Sequence, residues 1–301
     1  MESESGMKRI LFATDFLGNS RLALDYAVAF AQHFHATIVM LHVVLLSSAA
    51  HEAEMRIAGP SMSRKDAEGR LETLAEGVRR SGLTVETHVV DGFACDVILD
   101  SVRTYKADLL VLGIYGVHRG LGHLLIGSNT EKILLASDCP VLTVGAHVLS
   151  GFDPSKQLEE IVFFSDFTPE ATAAAPYAIY LGREFQVPID LCVLLPAVAE
   201  HNNKLQEQLA EDYCRSMRSV VGDEEQDWCS PAYQLDRGME IDQIVERAES
   251  QSTGLIVLGV HAESQLGRHL HTSFAYRVLA RATCPIVTVR HKGAAQDERF
   301  G

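Results

Sequence analysis

Apolar positions along the chain fall into two alternating patterns. Short continuous runs, rich in β-branched residues, stand at residues 10–14, 37–44, 84–89, 109–112 and 141–144. Runs without polar alternation predict strands buried on both faces, as in a parallel sheet. Between them, apolar residues recur at helical spacing. Leu22, Tyr26 and Phe30 do so over 19–35, and Ala67, Leu71, Leu74 and Val78 over 61–82. A third set is formed by Val97, Ile98, Ser101, Val102 and Tyr105. Strands alternating with helices predict βαβ units in an open α/β sheet.

The pattern is written twice. Ile-Leu-Phe-Ala-Thr-Asp-Phe at 10–16 returns as Ile-Val-Phe-Phe-Ser-Asp-Phe at 161–167. Asp-Leu-Leu-Val-Leu-Gly at 108–113 returns as Gly-Leu-Ile-Val-Leu-Gly at 254–259, and Cys-Pro-Val-Leu-Thr-Val at 139–144 as Cys-Pro-Ile-Val-Thr-Val at 284–289. Collinear matches at a nearly constant displacement identify a tandem duplication. The expected architecture is two open, mostly parallel five-stranded sheets flanked by helices, one in 1–150 and one in 151–301. The boundary is expected near Gly151, Phe152, Asp153 and Pro154, a turn-rich stretch. In the second copy, Thr168 and Pro169 suit a helix start, while Pro176 is expected to kink or shorten that helix. Residues 204–220 repeat the 61–82 pattern less regularly.

Composition narrows the function. A hydrophobic share of 47% over 301 residues suffices for sizeable cores and excludes a disordered chain. A net charge of -14 with no basic cluster argues against binding nucleic acid by counterion release. The first residues are polar and acidic, unlike a secretory signal, and no apolar run approaches the ~20 residues a membrane span needs. The expected setting is the cytoplasm, with no membrane partner. The six cysteines form no CxxC pair and read as reduced core thiols. The His33/His35 and His269/His271 pairs lack a third ligand, so no metal site is expected. Neither a P-loop nor a Gly-x-Ser-x-Gly elbow is present, and no catalytic residue is assigned.

The chemistry gathers after the fourth strand of the first copy. In an open parallel sheet, ligands bind beyond the carboxyl ends of strands where the strand order reverses. Asp15 ends the first strand and Gly113 the fourth, and Gly116, Gly127 and Ser128 follow. Glycines let a backbone approach a phosphate closely. Ser128 with Glu131 has the spacing of a capping box, which places a helix amino end after Gly127 and favours an anion there. His118, Arg119 and His123 are further candidates for phosphate contact. For Asp15 the alternative is an N-terminal cap of the next helix.

These residues resemble the universal stress protein family in its tandem form. That family pairs the strand-ending Asp with a Gly-x2-Gly-x9-Gly-(Ser/Thr) loop that wraps ATP. Here ten residues separate Gly116 from Gly127, with Gly120 and Gly122 available to absorb the extra one. The resemblance implies a Rossmann-like fold of the adenine-nucleotide alpha-hydrolase kind and ATP as ligand, with or without Mg. It places Ala13 and Asp15 on the base and ribose side, Val43 against adenine, Leu112 and Tyr115 beside the ribose, and Asn129 after the phosphate-binding Ser128. It also implies that the last strands of the two copies pair as an intramolecular pseudo-dimer, with a further homodimer open. In the second copy Gly259 is kept, but Ala262 and Thr272-Ser273 replace the other loop positions, Tyr276 breaks the capping pattern, and Asp166 reads as structural. That half carries a charge of -10 against -4 for the first, so one nucleotide site is expected, in the first copy. Three readings stand: an ATP-binding stress sensor with unknown protein partners, a stress protein that acts through protein contacts without nucleotide, and an enzyme such as a slow ATPase or nucleotidyl-transferring relative.

Overall fold

The computed structural model describes residues 6–45, 62–114, 116–119, 123–145, 148, 158–165, 169–194, 204, 208, 211, 212, 215, 232–236, 254–260, 278, 279 and 282–290. The expected boundary at 151–154, Thr168, Cys214, Cys229 and most of the 204–220 pattern lie outside them.

In the first half, strands β1 (Arg9–Ala13), β2 (Thr37–Leu45), β3 (Val85–Gly92), β4 (Leu109–Gly113) and β7 (Val141–Val144) run parallel in the order β3-β2-β1-β4-β7. Helices α1 (Gly18–Phe34), α2 (Arg64–Arg79), α3 (Ala94–Thr104) and α4 (Ser128–Ala136) connect them. A short hairpin of β5 (Gly116–Arg119) and β6 (His123–Ile126) lies between β4 and α4. The second half repeats the order with β8 (Ile161–Ser165), β9 (Ile189–Leu194), β10 (Ala232–Asp236), β11 (Leu255–Val260) and β12 (Ile286–Arg290), as β10-β9-β8-β11-β12. Its first helix, α5 (Pro169–Phe185), begins on the expected proline. It runs 17 residues through Pro176, the same length as α1, so the proline does not shorten it.

The central strands β1, β4, β7 and β11 are buried on both faces, which is why their sequences do not alternate, whereas the edge strand β3 is mostly half-buried. Ile10 and Phe12 face α1 and α2 in one apolar layer, while Leu11 and Ala13 face α3 and α4 in the other. Caps follow local chemistry. Ser63 opens α2 by accepting from the Asp66 amide at 3.2 Å and donating to its carboxylate at 2.7 Å. α1 ends on His35 in the left-handed region, φ 53°.

The halves join into one ten-stranded sheet through antiparallel pairing of β7 with β12, Leu142 opposite Val287. The seam is reciprocal, as a two-fold interface between like modules requires. Thr143 Oγ1 donates to the Ile286 carbonyl at 3.1 Å, and Thr288 Oγ1 to the Val141 carbonyl at 3.4 Å. Above it α1 meets α5: Phe30 packs edge-on to Phe185 at 5.2 Å, and Phe34 stacks with Tyr180 at 5.9 Å. Burial pushes the Tyr26 phenol up with help from nearby Cys284, and the Tyr177 phenol up with help from Tyr180 and Cys139. Asp138, before β7, accepts from Arg290 at the end of β12 at 3.0 Å. Cys95 and Cys139 are buried and Cys284 partly so, none of them in a disulfide.

Candidate functional site

Strand order in the first half reverses at β1, which has β2 on one side and β4 on the other. At the carboxyl edge, Ala13 stands beside Leu112 across the β1–β4 ladder. Both are nearly buried and share one face with half-buried Val43. Three of the expected adenine- and ribose-side residues therefore lie on one apolar layer.

The turn after β1 is built by Asp15. Its carboxylate accepts from the Leu17 amide at 2.9 Å and from the Ser20 hydroxyl, while Ser20 Oγ accepts from the Asp15 amide at 3.4 Å. This is an Asx turn leading into α1. Leu17, not Asp15, is the N-cap residue, and its side chain makes no capping bond. The Asp15 side chain is exposed at the sheet edge.

Two residues that pattern alone did not single out hold this turn. His42 on β2 is buried, donates from Nδ1 to the Thr14 carbonyl at 2.8 Å and lies 4.4 Å from the Phe16 ring. Burial pushes its pKa below the ordinary 6.5, opposed by the Thr14 carbonyl and the Asp15 charge. Asn19, also buried, donates from Nδ2 to the Ile114 carbonyl at 2.6 Å and ties the end of β4 to α1. A histidine inside an apolar strand run was the visible signal for the first; nothing in the pattern marked the second.

The glycine positions separate by role. A Cβ on Gly113 would collide with the main-chain carbon of Asn19 and amide nitrogen of Ser20, so glycine here permits β4 to pack against the start of α1. Gly116 pairs with Ile126 in the hairpin, whose connection at 120–122 lies outside the described residues, as does Tyr115. The expected open loop is thus partly a β-hairpin. Its signal was a Gly-Leu-Gly connection between two short runs. Gly127 is the N-cap of α4: its carbonyl accepts from the Glu131 amide at 3.0 Å, and a Cβ there would meet open space. This corrects the capping-box expectation. Ser128 is the first helical residue and not the N-cap, and Asn129 follows half-buried in the same turn. The helix amino end does fall after Gly127.

The amino ends of α3 and α4 share this edge. Burial and the Asp96 charge raise the Cys95 thiol pKa, and Lys132 of α4 opposes the rise. Among the described residues no three His, Cys, Asp or Glu side chains converge on a metal-sized site, and no helix is long and apolar enough to cross a membrane. In the second half, Asp166, Ala262, Thr272, Ser273 and Tyr276 lie outside the described residues, while Gly259 sits within β11.

A duplicated, doubly wound, mostly parallel α/β module is Rossmann-like in fold. The universal stress protein family model matches residues 6–145 and again 158–290. The chain belongs to that family, with two copies of its domain. Single-domain relatives align with about half of it. A universal stress protein of Methanocaldococcus jannaschii is 26% identical over 144 residues, 47% of this chain and 84% of the relative. Universal stress protein A homolog 1 of Coxiella burnetii is 30% identical over 147 residues, 46% and 95% respectively. In fold, the chain is similar to a universal stress protein from Archaeoglobus fulgidus, with TM-score 0.70 and 18% identity over 94% of this chain and 98% of that one. One universal stress protein has been solved in complex with cAMP; it is 23% identical over 46% of this chain and 98% of its own, with TM-score 0.36.

Proposed function

We propose that the first half, residues 1–150, binds ATP at the carboxyl edge of β1 and β4, and that the chain acts as a stress-response sensor. The observation that carries this reading is the amino end of α4 at Gly127, after β4 beside the sheet's switch point, where a Cβ would meet nothing within 4 Å. Exposed amides and the helix dipole favour a phosphate there. Asp15 offers a carboxylate acceptor for ribose hydroxyls, and Ala13, Val43 and Leu112 an apolar surface for the base. The second half, 151–301, is read as a domain whose loop has lost the glycines. Regulation requires that ATP bind two states of the protein with different affinity. The arrangement holds a ligand and supplies no evident nucleophile activation, so hydrolysis is expected to be slow.

Gly127→Glu tests the reading, because its side chain projects into open space and leaves the fold intact. ATP titration should show one site per chain in the native protein, none in Gly127→Glu and an unchanged site in Thr272→Glu. Loss of half the bound nucleotide in Thr272→Glu would contradict the single-site assignment. The pairing of Gly116 with Ile126 favours a second reading, since it occupies main chain that a phosphate loop would offer. In that reading the protein works through protein contacts alone, and wild-type protein stays empty at millimolar ATP.

A further inference from the structure

On the face of the sheet opposite Ala13 and Leu112, a cavity of about 310 Å³ opens between α1 and α2 beside the end of β1. Its floor is apolar: Phe12 and Leu24 are buried and Leu74 half-buried. Arg21 of α1 and Arg70 of α2 line its wall, and among the described residues no acidic side chain does. Other α2 arginines are neutralised, Arg64 by Asp91 and Arg79 by Glu72. Among the described residues, the guanidinium groups of Arg21 and Arg70 have neither ion-pair nor hydrogen-bond partner. Two unpaired cations over an apolar floor are out of keeping with a chain of net charge -14.

The mouth adds a second departure from ordinary packing. Phe16 lines it from a left-handed backbone, φ 64°, and Leu17 beside it keeps 46% of its surface exposed. A non-glycine residue in that region costs on the order of 1–2 kcal/mol, and such strain collects where ligands are held. The volume lies at the small end of ligand pockets, about 300–1,000 Å³. The hydroxyls at hand are engaged: Thr14 accepts from the Phe16 amide and Thr73 donates to the Gly69 carbonyl. The guanidinium groups are the charged donors at hand.

We propose that this cavity binds an amphipathic monoanion, its carboxylate or sulfonate held by Arg21 and Arg70 and its medium-length apolar body lying on Phe12, Leu24 and Leu74. The cavity lies on the sheet face opposite Ala13 and Leu112, meets the proposed nucleotide site only at the Asp15–Ser20 turn, and its assignment does not rest on that reading. Bidentate carboxylate recognition suits arginine, and the apolar floor rejects a polyphosphate of similar size.

Calorimetric titration of the full chain with decanoate tests the assignment, with 1-decanol as the uncharged control. Decanoate should bind saturably at one site, and decanol at least about tenfold more weakly. Both arginines are exposed on helix surfaces, so Arg21→Gln/Arg70→Gln should fold normally by circular dichroism and lose the preference for decanoate over decanol. Thr73→Trp, which plugs the cavity from an exposed position on α2 and leaves both charges, should abolish binding of either compound. The proposal is overturned if decanoate fails to saturate, if the double variant binds it undiminished, or if Thr73→Trp leaves binding intact.

Discussion

At the scale of single residues, two glycines of one loop differ in kind. Gly113 is glycine because main chain of α1 occupies the place of its Cβ. Gly113→Ala should lower stability by about 2 kcal/mol or more in urea unfolding, since backbone rather than a pliable side chain must yield. Gly127→Ala meets nothing and should cost only about 1 kcal/mol or less, the difference between glycine and alanine as N-cap. His42 carries a pH effect of definite sign. Its folded pKa is depressed by burial, so below about pH 6.5 the unfolded chain takes up a proton that the native one refuses. Its contribution is intact above that value and is lost on acidification towards the folded pKa. His42→Gln keeps a donor for the Thr14 carbonyl and should remove this component, so the wild-type minus variant stability difference should fall between pH 7 and 5. A difference independent of pH would show that His42 does not titrate on unfolding.

At the scale of elements, α5 shows how tertiary packing overrides local preference. Pro176 removes one amide donor from the helix, yet Ala174, Ala175, Tyr177 and Ala178 around it are buried. Burial of that face outweighs the loss, so the helix continues. Pro176→Ala should therefore raise the urea midpoint by the equivalent of about 1 kcal/mol or more, because it restores a hydrogen bond to the preceding turn. The seam depends more on apolar burial than on charge. Asp138 pairs with both Arg103 and Arg290, but these side chains are partly solvated. Arg290→Met should cost no more than about 1 kcal/mol, whereas Phe30→Ala, fully buried against Phe185, should cost about 3–5 kcal/mol. Chemical denaturation of the two variants side by side tests that ordering.

For the whole molecule, joining the halves is the governing feature. One apolar layer runs from Ile10 and Phe30 through Leu142 to Phe163 and Val287, so neither half completes its own core. Residues 1–150 expressed alone would expose β7 as an unpaired edge together with the Phe30–Phe34 side of α1. That fragment should self-associate by light scattering, with a second copy of β7 in the place of β12. A stable, soluble monomer would show that the seam is dispensable.

Strand positions, the duplication and the βαβ order were legible because they rest on local period and repetition. Residues 37–44 and 141–144 read as buried strands because they are short, largely apolar and rich in β-branched residues. The helix amino end after Gly127 was legible for the same local reason, although the residue supplying the cap was not. What only the tertiary structure decided depends on atoms distant in the chain. Asn19 reaches Ile114 across 95 positions, β7 meets β12 across a whole domain, and Arg21 and Arg70 face one cavity from separate helices. A hydrophobic period says which face of an element turns inward; which other element it then meets is set by packing, and no local pattern encodes that.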